Sequence, residues 1–416
     1  MAFASGPVTY RRFFISGEMP DATDDRFIQA LGDNAFGKYG ASTPDGKVVG
    51  WLSPDHLFDT DISLEKIVFD RFVFLQMRLD SLSAPGAVLR SYVRQEEAAE
   101  RETSGSDRLN KTQRQQAKDR ATARTEEEAK AGLHRRISAV PVLIDLPART
   151  VYFGNLGSTA SDKFIILFRD TFDVALEPAT SEHLALRIMD AAGDPRSIED
   201  AQPFHLVSST GVVDDGFDFD DRTFFGREFL TWLWFMSDAG TSTFKVGSDS
   251  LAAVITGVMR LDCDFRMTGS DLIRCDNPAR APEAHAAIAI GKQPVKAGLI
   301  LGGRTEEYSL MLDGPAFNVS GLRLPDSENV DRRGRLEERF TQITEASGLL
   351  DTLFGLFLGR RASSDWPKEL AAIKAWASGT RPAAVTHPAG VDRSQVEQDG
   401  DESRLRVILP AHAQTT

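Results

Sequence analysis

Apolar and polar residues alternate most regularly in FDRFVFLQMRLD, residues 69–80. This period of two predicts a β-strand. One face of the strand is apolar throughout and carries Val73, Leu75, Met77 and Leu79. The other face carries Phe72, Phe74, Gln76 and Arg78, and its polar end is predicted to meet solvent. Residues 8–16 predict a second strand and residues 21–36 a capped helix, so the chain opens as a mixed α and β region.

The pattern changes over residues 87–136, which hold many charges and strong helix formers but almost no aromatic residue. Two helices are predicted here, separated by TSGSD at residues 103–107. Ser106 or Asp107 is the predicted N-cap of the second helix. Neither helix has a wide apolar stripe, so the segment is predicted to project as an arm that is solvated, covered by a partner or partly disordered.

Regular patterns return after the arm. Residues 139–155 predict a strand hairpin, and Phe164, Leu167, Phe168 and Phe172 follow at helical spacing, so a helix is expected to pack on that hairpin. A second helix follows, SEHLALRIMDAAGD. The helix FFGREFLTWLWFMSD is too rich in aromatic residues to be exposed, and we expect it in the core or at a subunit interface, with Arg227 and Glu228 on its solvated side.

Residues 242–324 read as short strands, and 330–377 as a helical block. Within that block, LLDTLFGLFLGRR is amphipathic enough to form a dimer or partner surface. The predicted fold class is therefore α+β, with mixed sheets, packed helices, a projecting arm and a helical C-terminal block. The six predicted segments are an N-terminal α+β domain at 1–86, the charged arm at 87–139, a hairpin with helices at 140–210, a β-rich domain with the aromatic helix at 211–325, the helical block at 326–380 and a disordered tail at 381–416.

The chain of 416 residues has a formal net charge of −13, so a polyanionic partner must be met by a local basic patch. No export signal or membrane span is recognised, and a cytoplasmic location is predicted. Cys263 and Cys275 lack the spacing of a zinc site and are expected to be buried or half-buried thiols. Phosphate-cradling, dinucleotide and histidine metal motifs are missing, so no cofactor and no metal are predicted, and catalysis is left without support from a motif.

One basic patch lies in the arm, within RLNKTQRQQAKDRATARTEEEAK at residues 108–130. Six bases and a single acid, Asp119, fall within residues 108–124. The six are Arg108, Lys111, Arg114, Lys118, Arg120 and Arg124. On a helix, Lys111, Arg114 and Lys118 form one row and Arg120 and Arg124 a neighbouring one, an arrangement suited to phosphates. The alternative is a solvated helix whose bases pair with Glu126, Glu127 and Glu128.

A different chemistry is indicated by the acidic loop VVDDGFDFDD, because two-metal nucleases need several carboxylates around one phosphate. Its candidate ligands are Asp214, Asp215, Asp218, Asp220 and Asp221. Their spacing is not that of a calcium loop, and a solvated connector is the alternative.

In order along the chain, VTYRRFFISGEMP, VGWLSP, SAPGAVLRSYV, the arm and VLIDLPARTVYFGN resemble the RdgC family of bacterial recombination-associated proteins. The resemblance implies a non-catalytic, nucleoid-associated DNA-binding protein that forms a homodimeric ring around duplex DNA and restrains recombination by the RecA filament. Single-stranded DNA is a further candidate partner. The family's Phe-containing arm-tip element matches GLHRRIS here, which keeps Arg135 and Arg136 but has no Phe.

The predicted function is thus sequence-independent binding of duplex DNA. The predicted DNA-binding residues are Arg108, Lys111, Arg114, Lys118, Arg120, Arg124, Arg135 and Arg136. Two alternatives stay open: a protein-interaction factor that uses the arm and the C-terminal helices without touching DNA, and a metal-dependent nuclease that uses the acidic loop.

Overall fold

The computed structural model describes residues 3–22, 24–38, 47–81, 84–207, 223–263, 269–303, 306–327 and 329–379. The fold is α+β, as predicted, with antiparallel strand pairing. The chain divides into two compact units. The first comprises Met1–Ala179 and Ser327–Thr341, and the second comprises Thr180–Asp326 and Gln342–Thr416. These units group the six predicted segments differently, since the arm and the hairpin after it both belong to the first unit.

The sheet of the first unit has the strand order β7, β1, β6, β5, β4, β2, with β3 paired to β4. Its strands are β1 (Val8–Ser16), β2 (Lys47–Leu52), β3 (Val68–Phe69), β4 (Phe72–Ser81), β5 (Arg136–Asp145), β6 (Thr150–Phe153) and β7 (Ala175–Pro178). Its helices are α1 (Asp25–Asp33), α2 (Leu64–Ile67), α3 (Gly86–Ser104), α4 (Lys111–Lys130) and α5 (Ser158–Phe172). The predicted strands, hairpin and helices of this region are confirmed.

Helices α1 and α5 cover one face of this sheet. Phe27 of α1 stacks on Phe172 of α5 with ring centroids 5.1 Å apart, and Phe164 stacks on Phe153 of β6 at 4.3 Å. The predicted apolar face of β4 lies in this core, because Val73, Leu75 and Met77 are each fully buried. Burying a side chain of this size contributes about 1.5–3 kcal/mol, so the helix-covered face is a main source of stability.

The opposite face of β4 corrects one prediction. Gln76 and Arg78 were expected to meet solvent, but they are only 3% and 5% exposed. The chain segment from Pro54 to Phe58 covers them: the Gln76 side-chain amide donates to the Pro54 carbonyl at 2.9 Å, and Arg78 donates to the Leu57 carbonyl at 3.0 Å. Two polar side chains are therefore tolerated in a buried position because their hydrogen bonds are satisfied.

The second unit is built on the strand order β10, β9, β11, β12, β13, with β8 paired to β9. Its strands are β8 (Thr243–Val246), β9 (Asp249–Cys263), β10 (Asp271–Arg274), β11 (Lys292–Gly302), β12 (Glu307–Asp313) and β13 (Asn318–Arg323). Its helices are α6 (Ser181–Ala191), α7 (Arg196–Glu199), α8 (Phe224–Asp238), α9 (Pro282–Ala289) and α11 (Trp366–Ala377). The long helix α10 (Arg332–Arg361) begins within the first unit's residues and ends within the second unit's.

Helix α8 is the aromatic helix, and it forms core as expected. Phe229 packs against Phe354 and Phe357 of α10, with centroids 5.3 and 5.9 Å away. The apolar run of α10 proposed as a partner surface is therefore internal: Leu350, Leu353, Phe354, Phe357 and Leu358 are fully buried. That prediction was wrong because the stripe already has α8 as its partner.

The solvated position predicted for Glu228 was also wrong. Its side chain is 1% exposed, and its carboxylate accepts the Phe204 backbone N–H at 2.8 Å and the Arg361 Nε–H at 2.6 Å. Arg227 is half-buried. The two cysteines differ in exposure. Cys263 is half-buried as expected, but Cys275 is exposed, so the prediction was wrong for that thiol.

Candidate nucleic-acid interface

The arm, residues 84–135, takes the place of a hairpin turn between β4 and β5. These two strands pair antiparallel from Phe72 with Asp145 to Ser81 with Arg136. The chain therefore leaves the sheet and returns to it at adjacent positions. Helix α4 has 20 residues and is therefore about 30 Å long at 1.5 Å per residue. The two predicted helices of the arm are confirmed.

A narrow seam of small residues holds the helical pair together. The buried residues of α4 are Ala117, Ala121, Thr125 and Ala129, each four positions after the last. Helix α3 has no fully buried residue and contributes half-buried ones, including Leu89, Tyr92 and Val93. Small side chains allow two helices to approach closely, and this replaces the wide apolar stripe that the sequence lacks. The rest of each helix surface is left for solvent or a partner.

The tip of the arm turns at Gly105, whose φ of 62° is the left-handed conformation that glycine adopts at low cost. Helix α4 is capped by Asn110, not by Ser106 or Asp107 as predicted. The Asn110 side chain accepts the Gln113 backbone N–H at 2.8 Å, and the Gln113 side chain accepts the Asn110 N–H at 2.9 Å. This reciprocal capping box fixes the start of α4 firmly.

Four predicted DNA-binding residues lie at this tip, and we call them the tip cations: Arg108, Lys111, Arg114 and Lys118. All four are exposed. Within the described part of the chain, none of their side chains forms a hydrogen bond or ion pair. From Lys111 to Lys118 the row extends about 10 Å along the helix axis. These side chains are therefore available to an external anion.

The tip cations occupy the wrong end of the helix for stability. The N-terminus of a helix carries the positive end of its dipole, and a cation there costs about 0.3–1 kcal/mol. Lys111 and Arg114 lie in the first turn of α4, which has no acidic residue. Lys111, Arg114 and Lys118 also repel one another at spacings of three and four residues. The arm thus carries an electrostatic cost that its own fold does not offset.

Arg120 and Arg124 lie on the other row and are engaged within the arm. The Arg120 guanidinium donates to Glu96 at 2.7 Å and to Glu100 at 2.9 Å, both on α3. These hydrogen bonds, the one to Glu96 being the stronger, raise the pKa of Arg120. The predicted alternative, pairing with Glu126 to Glu128, holds only for Arg124, which donates to Glu128 at 3.3 Å.

Glu128 organises the half of the arm near the sheet. Its carboxylate accepts the Tyr92 hydroxyl at 2.8 Å and contacts the His134 Nε2 at 2.9 Å, while Arg124 lies over the Tyr92 ring at 3.8 Å. The contact with His134, followed by the hydrogen bond from Tyr92, lowers the pKa of Glu128. This cluster ties α3, α4 and the turn after α4 to one another.

The base of the arm is fixed by a buried carboxylate. Asp80 of β4 accepts from Arg78 at 2.8 and 2.9 Å and from Arg135 at 2.6 and 2.8 Å. Burial alone raises the pKa of Asp80, but the hydrogen bonds from Arg78 and Arg135 outweigh it and hold that pKa below its ordinary value. Arg135 is thus engaged in the base, whereas the neighbouring Arg136 is exposed without a side-chain partner among the described residues.

The eight predicted residues therefore do not form one surface. Four come together at the tip. Three are held in ion pairs: Arg120 by Glu96 and Glu100, Arg124 by Glu128, and Arg135 by Asp80. Arg136 lies at the base, so the segment GLHRRIS is not at the arm tip, where the family resemblance placed it. Of these carboxylates the sequence indicated Glu128, but Glu96, Glu100 and Asp80 were missed. Glu96 and Glu100 carried a readable signal, since they are four apart on the preceding helix and share a face with Tyr92 and Val93.

The described residues give no site geometry for the alternative metal-dependent nuclease. The acidic residues Asp214 to Asp221 lie outside the described residues. Among the residues that are described, no group of His, Cys, Asp and Glu side chains is placed to hold a metal ion. Within the described ranges, every helix is too short or too polar to cross a lipid bilayer. No protein-family model matches the sequence, and a search of curated proteins finds no match.

Proposed function

We propose that this protein binds duplex DNA through the tip cations, without reading base sequence and without catalysing a reaction on the DNA. The observation that carries the proposal is the exposure of Arg108, Lys111, Arg114 and Lys118 with no side-chain partner among the described residues. Each cation that neutralises a phosphate releases condensed counterions, and this supplies affinity independent of sequence. Phosphate contacts position a protein on DNA and do not specify bases.

The electrostatic cost at the tip supports this proposal. Cations at the start of α4 destabilise the free helix, and a bound phosphate would reverse the sign of that interaction because helix N-termini favour anions. Local rules of stability are most often broken where function requires it. A purely solvated helix gains nothing from this placement.

The net charge of −13 is compatible with a DNA partner. At physiological ionic strength, charges farther than about 8–10 Å are largely screened, so a phosphate at the tip responds to the tip cations and not to distant acids. The acidic remainder of the chain would disfavour binding elsewhere. DNA contact would then be confined to the arm.

The wider setting rests on the family resemblance. We propose a homodimeric ring that encircles DNA, associates with the nucleoid and restrains recombination promoted by the RecA filament. Mass measurement by light scattering, with and without duplex, tests the dimer. A monomer in both conditions would refute the ring while leaving phosphate binding by the arm to its own test.

The direct test compares two charge-matched variants in duplex binding across a salt series. The test variant carries Lys111→Glu, Arg114→Glu and Lys118→Glu. It should flatten the slope of log K against log salt by about 2.7 per bound protomer, at 0.9 per lost phosphate contact. The control carries the same three charge reversals at exposed strand positions of the second unit: Lys245, Arg274 and Arg323. It should keep the slope of the wild type.

The same experiment separates the alternatives. A protein-interaction factor would show no retention on DNA even at low salt. A nuclease would cut linear and circular DNA when magnesium is added, and intact DNA would exclude that activity under the conditions used. Equal slopes for the test and control variants would refute the assignment of the tip cations.

A further inference from the structure

Arg120 donates hydrogen bonds to two carboxylates in the way that an arginine contacts two oxygens of a phosphate. Its guanidinium donates Nε–H to one carboxylate, Glu96, and Nη2–H to a second, Glu100. The two acids are four residues apart on α3, so they lie on the same face of that helix. Guanidinium groups bind phosphate oxygens with the same forked geometry. The arm therefore fills the binding face of Arg120 with its own anions.

The local charge at this point is negative. One guanidinium faces two carboxylates, so the group of Arg120, Glu96 and Glu100 sums to −1. Lys118 and Arg120 are two residues apart, so they lie close together along the α4 axis but on different sides of the helix. A DNA strand that passed around α4 from Lys118 towards Arg120 would therefore meet net repulsion. The acids thus mark an electrostatic boundary on the arm.

The pairing is not the only contact between the two helices. The buried seam of Ala117, Ala121, Thr125 and Ala129 also joins them within the described residues, and none of these four residues takes part in the pairing. The Arg120 side chain remains 46% exposed, and Glu96 and Glu100 are 27% and 20% exposed. Exposed ion pairs contribute little to stability, because solvent screens them and ordering the side chains costs entropy. A structural role alone therefore gives little reason for two acids on one arginine.

We propose that Arg120 is a latent phosphate-binding site, and that Glu96 and Glu100 compete with DNA for it and so confine the DNA footprint to the tip cations. The proposal rests on the proposed function, because it concerns the same DNA contact. It assigns Glu96 and Glu100 the role of setting how many phosphates the arm engages. The ligand is the phosphate backbone of duplex DNA.

The first test uses Glu96→Gln with Glu100→Gln, which removes the competing charge and keeps side-chain size. Freeing one cation should steepen the salt slope by about 0.9 and tighten binding about eightfold at 0.1 M salt. The control is Glu126→Gln with Glu127→Gln, two exposed arm acids that no described side chain pairs with. It changes the net charge equally and should leave the slope unchanged. Far-UV circular dichroism verifies that the arm helices persist in both variants.

The second test uses Arg120→Gln. In the wild type this change should leave the slope unaltered, because Arg120 is already occupied; in the Glu96→Gln, Glu100→Gln background it should abolish the gain. A flatter slope for Arg120→Gln alone would mean that Arg120 contacts phosphate directly, and would overturn the inference. So would identical behaviour of the test and control pairs. If the wild type shows no salt-dependent binding at all, it is the proposed function that fails.

Discussion

Replacing Asp80 by Asn tests how the arm is anchored. Asp80 is the only acid that contacts both Arg78 and Arg135 in the described residues, and its side chain is 2% exposed. Asn keeps the shape and one hydrogen-bond acceptor but removes the negative charge. Arg78, 6% exposed, is then left as an uncompensated buried cation. Arg135 is half exposed and can turn to solvent.

The expected loss follows from that burial. Breaking one side of a buried ion pair costs about 3–5 kcal/mol, and solvent gives little relief because both Arg78 and Asp80 are almost fully covered. At 1.36 kcal/mol per factor of ten, the loss corresponds to a roughly 150- to 5,000-fold larger open population of the β4–β5 ladder. The variant keeps all four tip cations, but the arm that carries them should be less firmly anchored to the sheet.

Native-state hydrogen exchange measures this population at individual amides. Amides of β4 and β5 near Ser81 and Arg136 should exchange faster in Asp80→Asn by about that factor. The double replacement Arg78→Met, Asp80→Leu is the control: it removes both charges, and apolar pairs of similar volume are often neutral or stabilising relative to a buried ion pair. A change below roughly fivefold in Asp80→Asn would refute the view that this cluster anchors the arm.

The same carboxylate predicts a dependence on pH. The pKa of folded Asp80 lies below its ordinary value of 3.8, so its charged form stabilises the fold. That contribution is fully present above 3.8 and is lost as the pH falls from 3.8 through the lower folded pKa. Asp80→Asn should lack this part of the acid-induced loss. The difference in the free energy of unfolding between the wild type and the variant should therefore become smaller as the pH falls from 3.8 through the folded pKa of Asp80.

Two further substitutions test the packing of each unit. Ala121→Leu overfills the seam between α3 and α4 and should lower stability by about 1–3 kcal/mol. The control is Ala123→Leu, at an exposed position of the same helix, which should change stability by less than about 0.5 kcal/mol. Hydrogen exchange of the α4 amides distinguishes the two variants. Glu228→Gln leaves Arg361 without its buried anion and should lower the free energy of unfolding of the second unit by about 3–5 kcal/mol. Urea titration measures the loss, with Glu199→Gln, at an exposed position, as the control. Equal unfolding midpoints for the two variants would contradict the prediction.

The patterns that could be read from the sequence were those set by local periodicity. Alternation along residues 69–80 located β4 and its core face, and helical spacing located α5, because both depend only on which residues share a face. The break between α3 and α4 was located for the same reason. The cap was misplaced, although Asn110 and Gln113 carry the spacing of a capping box, because the Ser and Asp residues before them satisfy the same preference.

The errors share a physical cause, which is distance along the chain. Arg78 was expected in solvent because nothing near it in sequence covers it, whereas the segment up to Phe58 folds over it. Glu228 was predicted to be solvated because the cation that pairs with it, Arg361, is 133 residues away in the sequence. Periodicity indicates how a segment is patterned but not what packs against it, so a buried charge with a remote partner resembles an exposed one.

The candidate site shows the same limit. The basic patch was visible as composition, but its division into free and engaged cations depends on the register of two antiparallel helices. That register brings Glu96 and Glu100 of α3 beside Arg120, a pairing over 24 and 20 residues that local spacing does not reveal. Only the pair of Arg124 and Glu128, one helical turn apart, followed directly from the sequence.

The central claim is that four tip cations, and not all eight predicted bases, contact DNA phosphates. The most direct test is the salt slope of duplex binding by the wild-type protein, measured on two duplexes of unrelated sequence between about 50 and 200 mM salt. Four contacts predict a slope of about −3.6 per bound protomer on both duplexes, at 0.9 per phosphate. A slope near zero, a slope of about −7.2 per protomer as eight contacts would give, or slopes that differ between the two sequences, would contradict the account.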